Sequence, residues 1–465
     1  MSRTEVTLPV TEPAKPARGG RWIDHWEPDD PGFWQTIGKR VANRNLWFSI
    51  FVEHIGFSMW TVWSVLVLFM GKAYHVDPAG KFFLVSLPAL IGSLIRIPYA
   101  MAPARFGGRN WTIVSALLLL IPTVLAIMVM HPGTPYTTLL AVAALAGLGG
   151  GNFASSMTNI NAFFPEGRKG WALGLNAGGG NIGVAAVQLI GLLVIALVGA
   201  NSPRLVLAIY VPLIVIAAVC AAMFMDNISS MRNDTGAMRE AIREPQTWVM
   251  SFLYIGTFGS FIGYSFAFGL VLQNQFGRTP LQAASVVFLG PLIGSLIRPV
   301  GGWLADRFGG AKVTFVNFFG MALATAMVIA VSEQKSLALF VLGFLALFVL
   351  SGLGNGSTYK MIPSIFDVQA RMAIESGEPK QSALMRARRL SGAVIGIAGS
   401  IGALGGVFIN LAFRQSFLTA KSGVPAFWSF MAFYGACVVV TYVVYLRRAT
   451  AAVPSGKPQL AYAQV

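Results

Sequence analysis

The sequence predicts an all-α membrane protein of twelve transmembrane helices arranged as two halves of six. Composition is the first indication, because 55% of the 465 residues are hydrophobic and only 11% are charged, against roughly 25% charged residues in soluble domains. Apolar stretches of bilayer-crossing length are the second. The third is a repeat: Leu90 to Arg96 reads LIGSLIR, and Leu292 to Arg298 reads LIGSLIR again, 202 positions later.

Twelve apolar stretches are long enough to cross a bilayer, which requires about 20 residues. Their approximate bounds are 46–70, 82–103, 111–130, 137–164, 170–198, 204–225, 247–271, 283–305, 313–332, 336–366, 388–413 and 426–446. The repeat divides them into a first half at 46–225 and a second half at 247–446, joined by a polar connector at 226–246. Polar tails at 1–45 and 447–465 complete the chain.

The positive charges predict an orientation. The chain carries a net charge of +16, and outside the spans Lys and Arg concentrate on the side that holds both tails. Positively charged loops stay in the cytoplasm, so we expect cytoplasmic termini in a bacterial inner membrane. The connector at 226–246 mixes acids with bases and lacks a basic and aromatic stripe. We therefore expect lipid as a partner and no nucleic acid.

Glycines recur at matching places in the two halves. Gly147 to Gly151 in the fourth span return as Gly352 to Gly356 in the tenth, and the fifth and eleventh spans share a glycine spacing. Small residues let membrane helices approach closely, so the main interpretation is packing seams. Two parallel halves with a site where they meet are typical of secondary transporters, which rock one half against the other.

The cysteines and the motif content argue against catalysis. Cys220 and Cys437 lie in apolar spans of different halves and are predicted to be buried, with neither a disulfide nor a metal site. The spans hold no metal-ligand spacing, catalytic triad or phosphate loop. We expect a protein that is not an enzyme and needs no cofactor, and a monomer is the favoured state.

Arg96 and Arg298 are the main candidates for substrate binding. An arginine at the centre of a membrane helix costs roughly 2.5–3.5 kcal/mol and usually marks a substrate or ion pathway. Among the acidic residues only Glu53 lies well inside a span, and one carboxylate cannot neutralise two cations. A bound anion is therefore favoured over an internal ion pair, and the planar guanidinium suits a flat oxyanion.

A loop motif resembles a signature of the major facilitator superfamily. Gly302 to Lys312 reads GWLADRFGGAK, close to G-x-L-A-D-R-x-G-x-(x)-K. The resemblance implies a major facilitator fold, with six-helix halves related by a pseudo-two-fold axis. Asp306 and Arg307 would then form a latch at the membrane surface. The first half has Ala104 where the second has Asp306, so a first latch would lack its acid.

Several motifs together resemble the nitrate/nitrite porter family over nearly the whole chain. They are the two LIGSLIR arginines, GNFASSM from Gly151, GLNAGGGNIG from Gly174 and TFGSFIG from Thr257. The N-terminal stretch from Trp26 to Trp34 resembles the bacterial branch. In this family the two arginines hold nitrate or nitrite between the halves. The resemblance implies that the remaining site residues are Asn176, Phe153, Tyr254 and Phe258, with Gly174 lining the approach.

Three further polar residues leave the coupling mechanism open. Glu53 and Lys360 could form a buried ion pair that keeps the bundle specific, or Glu53 could carry a proton. His54 is a weaker candidate, since a hydrogen bond to a nearby carbonyl would explain it. Bringing an anion into a cell that is negative inside costs about 2.3 kcal/mol per 100 mV. Proton-coupled nitrate uptake is the preferred expectation, nitrate/nitrite antiport the alternative, and an anion channel or another small oxyanion less favoured.

Overall fold

The computed structural model describes residues 21–447. Within them twelve helices are long and apolar enough to cross a membrane, which confirms the predicted fold class. We number them span 1 to span 12: Pro31–Phe69, Pro78–Phe106, Gly108–Val129, Tyr136–Phe163, Glu166–Leu197, Pro203–Phe224, Pro245–Phe276, Pro280–Phe308, Gly310–Glu333, Leu337–Glu375, Lys380–Ala420 and Val424–Leu446. Of the tails expected at 1–45 and 447–465, residues 1–20 and 448–465 lie outside the described residues.

Span 1 begins well before residue 46, because the polar stretch ahead of it is also helical. Asp30 is the N-cap, and its side chain accepts a hydrogen bond of 2.6 Å from the backbone N–H of Phe33. Pro31 follows in the first turn, where a missing N–H costs nothing. Ala42 and Leu46 are buried, so the polar composition here reflects one exposed helix face.

Spans 7 and 11 are irregular where they cross. Span 7 contains a π-helical turn at Ile255–Gly259, and span 11 is interrupted at Leu404. A Cβ atom on Gly259 would lie 2.6 Å from the Cα of Gly405. The two backbones are therefore in direct contact, and glycine is required on both sides of the crossing.

The two halves close against each other at one end of the bundle. Gln188 in span 5 donates to the carbonyl of Ser265 in span 7 (2.9 Å), and Gln273 in span 7 donates to the carbonyl of Leu68 in span 1 (3.2 Å). Nearer the other end, open space adjoins Gly174 of span 5 and Gly396 of span 11. We call that other end the connector end, since the 226–246 connector lies there.

The segment before span 1 is attached to the start of the connector. Trp22–Ile23 pairs in parallel with Asn227–Ile228, with Trp22 opposite Asn227. Asp226 accepts hydrogen bonds from Arg21 (3.0 Å) and Arg44 (2.6 Å). An acidic side chain with little exposure is thus neutralised at the connector end of the first half.

Candidate anion-binding site between the halves

Arg96 is buried and links the two halves. Its side chain is 1% exposed. Nε donates to the carbonyl of Gly150 in span 4 (3.2 Å), and Nη1 donates to the carbonyl of Gly399 in span 11 (2.8 Å). Among the described residues Nη2 has no hydrogen-bond partner. The guanidinium is therefore fixed by backbone carbonyls from both halves, and Nη2 remains as a donor for a ligand.

Aromatic rings surround the Arg96 guanidinium. Its central carbon lies 4.7 Å from the ring centre of Phe153, 5.0 Å from that of Phe258 and 5.2 Å from that of Trp60. Phe153 and Phe258 are stacked with centroids 6.1 Å apart. These distances are in the range of cation–π attraction. The rings thus hold the cation away from water without supplying a counter-charge.

Arg298 occupies the equivalent position in span 8 with a different aromatic partner. It is 5% exposed, and its guanidinium carbon lies 5.6 Å from the ring centre of Tyr359. Nη1 has no hydrogen-bond partner in the described part of the chain. Tyr254 lies close enough to both arginines to interact with them electrostatically, and its ring stacks on Phe258 at 5.4 Å. We call the arginine site the set formed by Arg96, Arg298 and the rings of Trp60, Phe153, Tyr254, Phe258 and Tyr359.

Glu53 lies beside the arginine site in a small polar cluster. Its carboxylate is 1% exposed and within electrostatic reach of Arg96 and Arg298. Oε2 accepts hydrogen bonds from Ser156 and from Asn176 Nδ2, the latter at 2.7 Å. Oε1 has no partner among residues 21–447. The Asn176 donor, which the family resemblance assigns to the anion, is therefore engaged by a carboxylate here.

Glycines of span 5 make room for Glu53. A Cβ atom on Gly180 would lie 2.7 Å from Cδ and 2.8 Å from Cγ of Glu53, and one on Gly183 would overlap the carbonyl of His54. Nothing lies within 4 Å of the corresponding position at Gly174 or Gly178. One part of the glycine run is thus a packing seam, while Gly174 is exposed beside open space.

The buried ion pair between Glu53 and Lys360, one of the two interpretations of these residues, is wrong. Lys360 Nζ donates to both carboxylate oxygens of Asp306 at 2.9 Å, and both side chains are substantially exposed. The long lysine side chain reaches out of the membrane core to an acid at the end of span 8, where hydration lowers the cost of both charges. Within residues 21–447 the charged groups that interact electrostatically with Glu53 are Arg96 and Arg298.

The remaining predicted residues lie outside the polar cluster. His54 Nδ1 lies 3.3 Å from the carbonyl of Gly179, the backbone contact that explains a lone histidine. The guanidinium of Arg307 lies over Trp303 and Phe308 at the membrane surface, whereas Asp306 pairs with Lys360. Within the described residues no group of three or more His, Cys, Asp or Glu could hold a metal ion.

Sequence reasoning missed three side chains of this region. Ser156 lies three residues after Phe153, and Tyr359 lies four residues after Asn355, so helical spacing could have placed each on a buried face. Trp60 gave no comparable signal, because an aromatic residue in an apolar span is ordinarily core packing. Its indole Nε1 donates to the carbonyl of Pro88 at 2.7 Å, which fixes the ring beside Arg96.

The arrangement can bind a small anion at a buried site, since Arg96, Arg298 and Glu53 have little exposure. Two guanidiniums with free donors face one carboxylate, so the charged groups sum to a net positive charge when Glu53 is ionised. Buried charges need compensation, and a monovalent anion would provide it. Protonation of Glu53 would remove its negative charge and so raise the net charge of the site by one.

The fold has relatives of known structure. The xylose transporter XylE from E. coli, in a partially occluded inward-open conformation, matches with a TM-score of 0.63 at 12% identity, over 87% of this chain and 98% of that one. A bacterial homolog of the human lysosomal transporter Spinster, inward-facing and occupied, matches at 0.59 and 17% identity, over 86% and 95%. Residues 46–410 match the Major Facilitator Superfamily. The chain therefore belongs to that superfamily of membrane transporters and is not an enzyme.

Relatives of similar length show which family within the superfamily the chain belongs to. The chain is 38% identical over 447 residues to the nitrate/nitrite transporter NarU of Salmonella typhimurium, covering 92% of this chain and 96% of the relative. It is 33% identical over 461 residues to the probable nitrate/nitrite antiporter NarK2 of Thermus thermophilus, covering 92% and 97%. Within the superfamily, the chain belongs to the nitrate/nitrite porter family.

Proposed function

We propose that this protein transports nitrate, and also nitrite, by alternating access and couples nitrate uptake to protons through Glu53. The observation that carries the transport proposal is the pair of buried guanidiniums with free donors, one from each half. Relatives named nitrate/nitrite transporters support the choice of anion. A flat oxyanion would engage Arg96 and Arg298 together, with Phe153, Phe258 and Tyr254 as walls.

The location of the site gives the transport cycle. Each half contributes one arginine, so rocking the halves changes the end of the bundle from which the arginine site is accessible. The halves meet at one end through Gln188 and Gln273 and leave open space beside Gly174 near the connector end. With both termini in the cytoplasm of a bacterium, this is the conformation that opens to the cytoplasm across the inner membrane.

Proton coupling follows from competition for the same cations. An ionised Glu53 and a bound nitrate both interact favourably with Arg96 and Arg298 and repel each other. Binding nitrate therefore favours uptake of a proton by Glu53, and by linkage protonation favours nitrate binding. Joint movement of one nitrate and one proton transfers no net charge, so the membrane potential no longer opposes entry.

Nitrate/nitrite antiport is the second candidate. The similarity to a probable nitrate/nitrite antiporter supports it, and an anion exchanger needs only the arginine site. The carboxylate held beside that site favours proton coupling, because an unneutralised anion there would weaken substrate binding without benefit to an exchanger.

Reconstitution separates the two mechanisms. Purified protein in liposomes is given either a pH gradient, acidic outside, or nitrite inside, and nitrate entry is measured. We expect the pH gradient to drive accumulation, and Glu53→Gln to abolish it while nitrate exchange across vesicles continues. Glu333→Gln, at the end of span 9, is the control and should behave as wild type. Accumulation driven only by internal nitrite would favour antiport, and loss of exchange in Glu53→Gln would make Glu53 structural.

A further inference from the structure

A buried polar stripe runs along span 1 from Glu53 toward the connector end. Asn45, Ser49 and Glu53 are spaced four residues apart, which places them on one helix face. Their exposed fractions are 0%, 2% and 1%. Polar residues in the membrane core are costly unless they pair or serve a pathway. Its Ser49 end faces Ser156 of span 4 and its Asn45 end faces the connector, and neither lies beside Gly174.

The Ser49 hydroxyl of this stripe is connected to the Glu53 carboxylate through Ser156 of span 4. Ser156 Oγ donates to Glu53 Oε2 and lies 3.0 Å from Ser49 Oγ. One helical turn further, Asn45 Nδ2 donates to Asp226 Oδ2 at 2.8 Å, and the backbone N–H of Asp226 donates back to Asn45 Oδ1 at 2.8 Å. The separation between neighbouring turns, about 5–6 Å between Cβ atoms, is one that a single water molecule spans.

We propose that Ser156 and Ser49 relay protons between Glu53 and the connector end, along a route separate from that of the anion. This rests on the proposed proton coupling. A hydroxyl both donates and accepts. Glu53 takes the proton of Ser156 Oγ, Ser156 takes that of Ser49, and Ser49 is reprotonated by a hydronium ion at the Asn45–Asp226 cluster. Release reverses each transfer.

The other titratable groups near Glu53 do not lie on this route. Arg96 and Arg298 are permanently charged donors, and Tyr359 and Tyr254 lie on the side of the arginine site. His54 points to the carbonyl of Gly179 in span 5. At the far end Asp226 is paired with Arg21 and Arg44. A proton relay through Ser156 and Ser49 also keeps the proton away from the anion's exit.

Rapid mixing tests the relay directly. Full-length protein in detergent, weakly buffered with a pH-indicating dye, is mixed with nitrate, and the rate and amplitude of proton uptake are recorded. Ser49→Ala leaves Glu53 and its two hydrogen bonds in place. We expect an unchanged amplitude and unchanged nitrate affinity, with uptake slowed about tenfold or more, toward the range of general acid–base effects.

Three further variants test whether the hydroxyl of Ser49 is the group that matters. Ser49→Thr keeps a hydroxyl and should restore the rate, while Ser49→Val should be at least as slow as Ser49→Ala. Ser155→Ala is the matched control, because Ser155 Oγ donates to the carbonyl of Asn152 in its own helix and not to Glu53 or Ser49. Wild-type rates in both Ser49→Ala and Ser49→Val would overturn the route, and so would a loss of amplitude or affinity. Wild-type protein that takes up no proton on binding nitrate would instead contradict the proposed coupling itself.

Discussion

Asn176 Nδ2 donates a hydrogen bond of 2.7 Å to the carboxylate of Glu53. Two residues that the sequence suggested for different tasks, one for the anion and one for the proton, are thus direct partners. Ser156 completes the cluster as a second donor to the same oxygen. A carboxylate held in this way keeps a fixed position relative to Arg96 and Arg298, which is what competition with an anion requires.

Replacing either site arginine by lysine should weaken nitrate binding. Lysine retains the charge but loses the planar fork, so Arg96→Lys and Arg298→Lys should each cost about 1.5–3 kcal/mol. Equilibrium binding to purified protein measures this loss. Arg278→Lys, whose Nε donates to the nearby carbonyl of Phe276, serves as the control. Wild-type affinity in both site variants would contradict the two-arginine site.

Adding a methyl group to span 5 should uncouple transport at one position and not at another. The Cβ of Gly180→Ala would lie 2.7 Å from Glu53 Cδ, so the carboxylate must shift away from Ser156 and Asn176. We expect loss of pH-driven nitrate accumulation and a lower melting temperature, with a strain of about 1–3 kcal/mol. Gly178→Ala, with nothing within 4 Å, should retain both. Equal defects in the two variants would indicate a general intolerance of span 5.

The contact between Lys360 and Asp306 should act as a unit. Asp306→Lys and Lys360→Asp each juxtapose like charges where the two side chains now pair at 2.9 Å, so each single variant should transport more slowly. The double variant Asp306→Lys with Lys360→Asp restores an opposite-charge pair and should recover part of the rate. Initial rates of nitrate exchange in liposomes measure the interaction. A double variant as slow as the worse single one would show that the pair does not matter.

The fold and the two buried arginines could be predicted from the sequence, but the hydrogen-bond and ion-pair partners of the polar residues could not. Hydropathy identifies the spans, because each must contain enough apolar residues to cross the bilayer. The LIGSLIR repeat identifies Arg96 and Arg298, because the two halves carry the same sequence at equivalent positions. The partner of Lys360 could not be read in the same way. Its side chain is long enough to leave the core, and Asp306 is 54 positions away in sequence, so only the packing of spans 8 and 10 decides the pairing.

The same limit applies to the start of span 1. Residues 31–45 have the composition of a tail, yet Asp30 and Pro31 provide a helix start, and the buried face includes Asn45. Composition averages over both faces of a helix, so a half-buried helix with one polar face resembles a solvated segment. The polar stripe on span 1 is defined by its partners in span 4 and the connector, which are distant in sequence.

The pH dependence of transport should not come from the connector. Arg389 of span 11 donates to Asp234 at 3.1 Å, and this contact holds the pKa of Asp234 below its usual value, which is about 3.9. The contact therefore contributes its full stabilisation at any pH above the usual pKa of Asp234. The stabilisation is lost only as the pH falls through the lowered pKa. Between about pH 5 and 8 Asp234 therefore stays ionised.

Asp234→Asn should change nitrate uptake by the same factor throughout this range, whereas Glu53→Gln should flatten the pH profile. Uptake by the two variants, measured at equal pH inside and outside the liposomes, compares them. A profile flattened by Asp234→Asn would make the connector the pH-sensitive element in place of Glu53.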